Sequence, residues 1–125
     1  MLPRPNRLTR TRDFELLFAQ GRFAGGAFVT LKFWRIVPDF QPRRQLTTTD
    51  LKIGILVSKK VSKRAVVRNR IKRQVREIVR LLLKENKIPI GYLLVFSIKA
   101  EAKDQEYVLL EVDLKNVLTR ARLLQ

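Results

Sequence analysis

The chain has 125 residues, a formal net charge of +16, and neither Cys nor His. That length suits one domain with a modest core. Without Cys there is no disulfide and no thiolate-held zinc, and without His there is no Ser-His or Cys-His catalytic pair. No run of 18 apolar residues occurs, and the opening MLPRPNRLTRTRDF is basic throughout rather than signal-like, so a soluble, cytoplasmic protein is expected.

Residues 1–10 hold two prolines and three arginines and read as a flexible basic arm ahead of a single domain over 11–125. Thr11 can cap a short helix running to about Gln20, with Gly21 placed to end it. Phe14, Leu17 and Phe18 share one face of that helix, and by pattern alone the two phenylalanines are core residues. Gly25 and Gly26 punctuate. Ala27 to Val37 then reads as a strand rich in Phe, Val, Leu and Trp, closed by Pro38. The polar stretch 38–50, with two prolines, reads as a mobile hairpin loop. Leu51 to Val57 alternates as a second strand.

Ser58 to Arg80 dominates the chain. It carries ten Lys or Arg against one acid, Glu77. An ordinary solvated helix mixes both signs, so this imbalance calls for an external anion. Val67, Ile71, Val75, Ile78 and Leu82 keep the period of a helix packed on a core, inside an arc of roughly 80°. Lys72, Arg73, Arg76 and Arg80 project from the far side with Asn69 among them, and Arg68 and Arg70 lie on the flanks. Ser62 is the expected N-cap, with fraying near Glu85 and Asn86. Beyond a turn at Pro89 and Gly91, Tyr92 to Ile98 reads as a buried third strand. Glu106 to Leu123 returns to helix, with Leu110, Leu114, Val117, Leu118 and Ala121 on one side. The order α-β-β-α-β-α predicts a small α/β (α+β) sandwich, a helical layer on a three- or four-stranded sheet.

Charge placement sharpens the functional reading. Residues 1–84 carry 21 Lys or Arg against 5 Asp or Glu, whereas residues 85–125 carry six of each. The whole excess lies with the basic helix, as in a nucleic-acid footprint. Arginine's planar fork suits phosphate bidentately. A merely solubilising face would carry more acids, and a membrane-surface or calmodulin-type helix would not need its apolar stripe to cover a sheet. No catalytic constellation emerges: the carboxylates are scattered, and no glycine-rich phosphate loop is present.

Val66-Val67-Arg68-Asn69-Arg70-Ile71-Lys72-Arg73-Gln74-Val75-Arg76 resembles the hallmark RNR motif of the bacterial ribonuclease P protein subunit. Ile53-Gly54 through Val57-Ser58-Lys59-Lys60-Val61 is similar to the strand that leads into that helix. Arg7-Leu8, Asp13-Phe14 and Phe18 match the family's opening helix in outline. Ser62 stands where the family has glycine, and Leu31 where relatives often carry tyrosine.

The resemblance implies a cofactor for a catalytic RNA that cleaves the 5′ leader from precursor tRNA, with Mg²⁺ held mainly by the RNA and no catalytic residue in this chain. It implies a left-handed βαβ crossover around the basic helix. It also implies that Lys59, Lys60, Arg68, Asn69, Arg70, Lys72, Arg73 and Arg76 meet the catalytic RNA. Phe14 and Phe18 would then line a leader cleft rather than a core. On the strand, alternation groups Val29, Leu31 and Phe33 on one face, assigned to the same cleft. The competing readings are a structural ribosomal protein of similar fold and a protein-only nuclease.

Overall fold

Two sets of apolar side chains build the protein from opposite sides of one sheet. The computed structural model describes residues 2–37 and 47–125. Three helices are present among them, α1 (Thr11–Gln20), α2 (Ala65–Lys84) and α3 (Tyr107–Arg120), with single 3-10 turns at Arg4–Asn6 and Ala100–Ala102. The strands are β1 (Arg22–Gly25), β2 (Val29–Arg35), β3 (Leu51–Leu56) and β4 (Tyr92–Ile98), in the order β1-β2-β4-β3. β2 pairs antiparallel with β1 and β4, while β3 runs parallel to β4. A parallel pair needs a crossover, and α2 supplies it.

α2 buries Ile71, Val75, Ile78, Val79 and Leu82, the predicted stripe with Val79 added, while Val67 packs half-buried at its edge. Full burial of such aliphatic side chains contributes about 1.5–3 kcal/mol each. α3 adds Leu110, Leu114, Val117 and Leu118 to the same core, which Val29, Leu31, Ile53, Leu94 and Phe96 complete from the sheet. The other face carries a smaller core, in which Leu16 and Leu17 of α1 meet Leu8, Ile36, Leu93 and Val95. Both faces of β2 and β4 are therefore covered over most of their length, which is why Tyr92 to Ile98 reads as a nearly continuous apolar run.

Several local expectations change. The sequence pattern marks no strand over residues 22–25, only the glycines at 25 and 26; β1 forms there because its backbone pairs with β2 from Arg22↔Phe33 to Gly25↔Thr30. The N-cap of α2 is Arg64, not Ser62, and that of α1 is Arg10, not Thr11. Ser62 Oγ instead accepts from Arg64 N at 3.2 Å, making a turn just before the helix. α3 stops at Arg120, three residues short of the expected end, and Arg122 takes a left-handed φ of 60°.

The described part of the basic arm is laid along β3 rather than standing free. Leu2 and Leu8 are buried, Arg7 bridges to Ile53, Leu8 N donates to Ile53 O (3.0 Å), and Asn6 Nδ2 donates to Leu51 O (2.9 Å). The segment thus covers an edge that would otherwise offer unpaired backbone groups. Most of the loop expected at 38–50 lies outside the described residues. Of its remainder, Thr47 N donates to Asp50 Oδ2 at 2.9 Å, and Asp50 O accepts from Gly91 N at 2.6 Å.

A buried carboxylate ties α3 to the turn between β1 and β2. Asp113 Oδ1 accepts from Ala27 N (2.8 Å), and Oδ2 accepts from Phe28 N and Val29 N (2.9 Å each). Gly26 admits this approach: a Cβ there would stand 2.6 Å from Asp113 Oδ2. The turn's carbonyls take cations instead, Gly26 O from Lys99 Nζ at 2.7 Å and Gly25 O from the Arg120 guanidinium.

Candidate nucleic-acid interface

Packing fixes which side of α2 faces outward. With Ile71, Val75, Ile78 and Leu82 against the sheet, Asn69, Arg70, Arg73 and Arg76 are exposed and Arg68 and Lys72 half-buried. Lys59 and Lys60 are exposed on the connection before the helix. All eight predicted side chains thus belong to one continuous segment at the helix and its approach.

They are not equivalent. The Arg68 guanidinium donates through Nη1 to Ser62 O (3.0 Å) and Lys63 O (2.9 Å), so it holds the lysine-bearing connection against the first turns of α2. Arg70 Nη2 reaches Lys103 O at 3.5 Å, a long contact. Arg80 forms a two-pronged pair with Glu77, Nε to Oε2 at 3.0 Å and Nη2 to Oε1 at 2.7 Å. The hydrogen bond from Arg80 holds the Glu77 carboxyl below its ordinary value, and the same bond raises Arg80. Lys72, Arg73 and Arg76 make no ion pair with a described acid, and a polyanion can meet them directly.

The second face of interest lies under α1. The registers define two rows that cross all four strands there: Phe23–Lys32–Val95–Gly54 and Gly25–Thr30–Ser97–Leu56. α1 covers Val95, and the ring of Phe14 lies over Gly54. Phe18 leans outward, 44% exposed, with Lys32 Nζ 5.3 Å from its ring centroid and donating to its carbonyl at 3.0 Å. The second row is left open, half-buried in Gly25, Thr30 and Ser97 and exposed at Leu56. The result is a trough floored by Gly25, Thr30, Ser97 and Leu56 and walled by two phenylalanines.

Val29, Leu31 and Phe33 do not line it. Val29 and Leu31 are 0% exposed in the core beneath α2 and α3, and Phe33 packs against that core from its edge. Alternation separates a strand's two faces but does not say which neighbour covers which, and here the odd-numbered face of β2 turns away from α1. The even-numbered residues Thr30, Lys32 and Trp34 take the α1 side. Two sequence signals pointed there: a lysine inside an apolar strand, and Gly54 inside a cleanly alternating one, where glycine marks close approach.

Trough and basic helix meet at the β3 edge. A cavity of about 260 Å³ is lined there by Arg7, Leu8, Phe14, Gly54, Ile55 and Arg76. Arg76 comes from the helix on one side of the sheet and Phe14 from the helix on the other, so both functional faces open into one space.

The family model for ribonuclease P matches residues 2–122, which is nearly the whole chain. The chain belongs to the ribonuclease P protein family. The ribonuclease P protein component of a Pseudanabaena species is 44% identical over 124 residues, covering 99% of this chain and 97% of that one. The component from a Picosynechococcus species is 39% identical, with 96% and 93% covered. Among solved structures, the ribonuclease P protein of Thermotoga maritima aligns with a TM-score of 0.71 at 26% identity, over 91% of this chain and 96% of that one. That of Staphylococcus aureus gives 0.76 at 22% identity, over 96% and 98%, a likeness of fold.

As a member of the ribonuclease P family, the protein is the protein part of an endoribonuclease ribonucleoprotein, working with an RNA subunit. Among the described residues no three carboxylates gather into a cluster able to hold a metal ion. No described helix is long and apolar enough to cross a membrane.

Proposed function

We propose that the protein acts in the cytoplasm by gripping two polyanions at once. The outward face of α2, led by Lys72, Arg73 and Arg76 and extended by Lys59 and Lys60, docks on the ribonuclease P RNA. The trough beneath α1 receives the unpaired 5′ leader of precursor tRNA, against Phe14, Phe18, Thr30 and Lys32. Hydrolysis of the leader bond is then the work of the RNA and of Mg²⁺ held mainly by it. The chemistry of the outward face of α2 fits that division, since its cationic side chains attract phosphate and repel a metal cation.

One observation carries the reading: Arg76 and Phe14 share the cavity at the β3 edge. An RNA strand held at the Arg76 guanidinium therefore has the Phe14 ring lining the same cavity. Phosphate contacts position, and stacking on Phe rings tolerates any base, so sequence readout of the leader is weak. Two anionic RNAs repel each other, and a protein of charge +16 between them lowers that repulsion.

The test compares precursor and mature tRNA affinity for the ribonuclease P RNA, with and without this protein. The protein should tighten the precursor selectively. Equal tightening of both tRNAs rules out leader recognition.

A further inference from the structure

Phe23 belongs to neither core, although it is aromatic and sits in a strand. It is 66% exposed at the outer edge of the sheet. Its Cα partner across the strands is Lys32, so it stands on the face that α1 walls. Its ring lies along β1 with one edge over Gly25 and most of its surface open: Cζ and Cε2 lie 3.5 and 3.8 Å from the point a Cβ on Gly25 would occupy. Gly25 begins the open row Gly25–Thr30–Ser97–Leu56, so the ring roofs the mouth of that row.

Lys32 stands beside one ring and is the cross-strand partner of the residue that carries a second. On one side its ammonium is anchored at Phe18 O, 3.0 Å away, and faces the Phe18 ring. On the other side its strand neighbour is Phe23. Neither row contains a carboxylate. An ammonium over one ring, with a second exposed ring on the neighbouring strand, suits one repeat of a nucleic-acid strand, with a phosphate on the cation and bases on the rings.

We propose that Phe23 is a further stacking site for an unpaired base of single-stranded RNA, at the opposite end of the trough from Phe14, with Lys32 meeting the phosphate between Phe18 and Phe23. This extends, and rests on, the leader reading above. Four strands at roughly 4.8 Å spacing make the trough roughly 14 Å across, room for up to about four nucleotides at a stacked rise of roughly 3.4 Å. A strand entering at Arg76 and Phe14 therefore reaches Phe23 only if it is several nucleotides long. The occupant is single-stranded rather than duplex RNA, because a paired base has no face free for these rings.

The test uses the protein assembled with ribonuclease P RNA and measures affinity for precursors whose unpaired leader grows from a single nucleotide. A fluorescent base analogue at successive leader positions reports stacking. Phe23→Ala should weaken binding of the long-leader precursor by roughly five- to a hundred-fold. The loss should shrink as the leader shortens, and Phe23→Tyr should restore both affinity and quenching. A thermal melt verifies that Phe23→Ala is folded, as expected for an exposed side chain. Unchanged long-leader affinity in Phe23→Ala, or an equal loss at every length, overturns the site while leaving leader recognition standing. If the unmutated protein binds all lengths alike, leader recognition itself fails, and this site with it.

Discussion

The ring of Phe14 rests on the bare backbone of Gly54: its Cε1 and Cζ both lie 3.1 Å from where a Cβ would stand. This contact sets the depth of the trough at the end where Arg76 enters. A β-branched side chain at 54 must push the ring outward and disturb Leu8, the next neighbour, at 3.5 Å. Gly54→Val should lower stability by about 1–3 kcal/mol through overpacking and weaken precursor binding more than mature tRNA binding. Urea unfolding and a paired affinity measurement check both halves.

Arg68 and Arg73 sit in the same motif and should fail differently. Arg68 holds Ser62 O and Lys63 O, so Arg68→Ala should speed hydrogen exchange across residues 60–64 in the free protein. Arg73 makes no such bond to a described residue. Arg73→Ala should leave exchange unchanged and flatten the salt dependence of RNA binding by roughly 0.7–0.9 per lost phosphate contact. Normal exchange in Arg68→Ala would show that the loop does not need it.

Asp113 is the acceptor for three backbone amides of the β1–β2 turn. Asp113→Ala orphans all three; the Val29 amide is left buried and unpaired, at about 1–3 kcal/mol, while the Ala27 and Phe28 amides can take water. The loss should reach at least about 1 kcal/mol in chemical denaturation, with Asp113→Asn milder because one carbonyl oxygen remains.

Glu77 is the one acid on the basic helix and it occupies Arg80. Glu77→Gln should free that guanidinium and steepen the salt dependence of RNA binding by up to roughly 0.7–0.9. The pH sign follows from the lowered Glu77 carboxyl, which Arg80 holds below 4.5. The pair is fully present above that ordinary value and is lost as pH falls through the lowered one. An NMR titration of the carboxyl carbon should place its midpoint below 4.5, and Arg80→Gln should bring it back up.

Much of this protein is local, and the local part was legible. The apolar stripe of α2 follows from a 3.6-residue period, and its basic face from the charges left over. Tyr92 to Ile98 is a strand by its nearly unbroken apolar run, and α1 ends where Gly21 stands. The family resemblance at Arg68–Arg76 agrees with the family match across residues 2–122.

Tertiary structure decided what depends on distant partners. β1 is a strand only because β2 accepts it, and residues 6–8 are ordered only because β3 has an open edge. Asp113 gives no sign in its own helix that its oxygens end on amides 84 to 86 positions away. The side of β2 that faces α1 was equally hidden. A period of two fixes that faces alternate, and both faces of this strand are covered over most of its length. Only the packing of α1 could put Lys32, and not Leu31, in the trough.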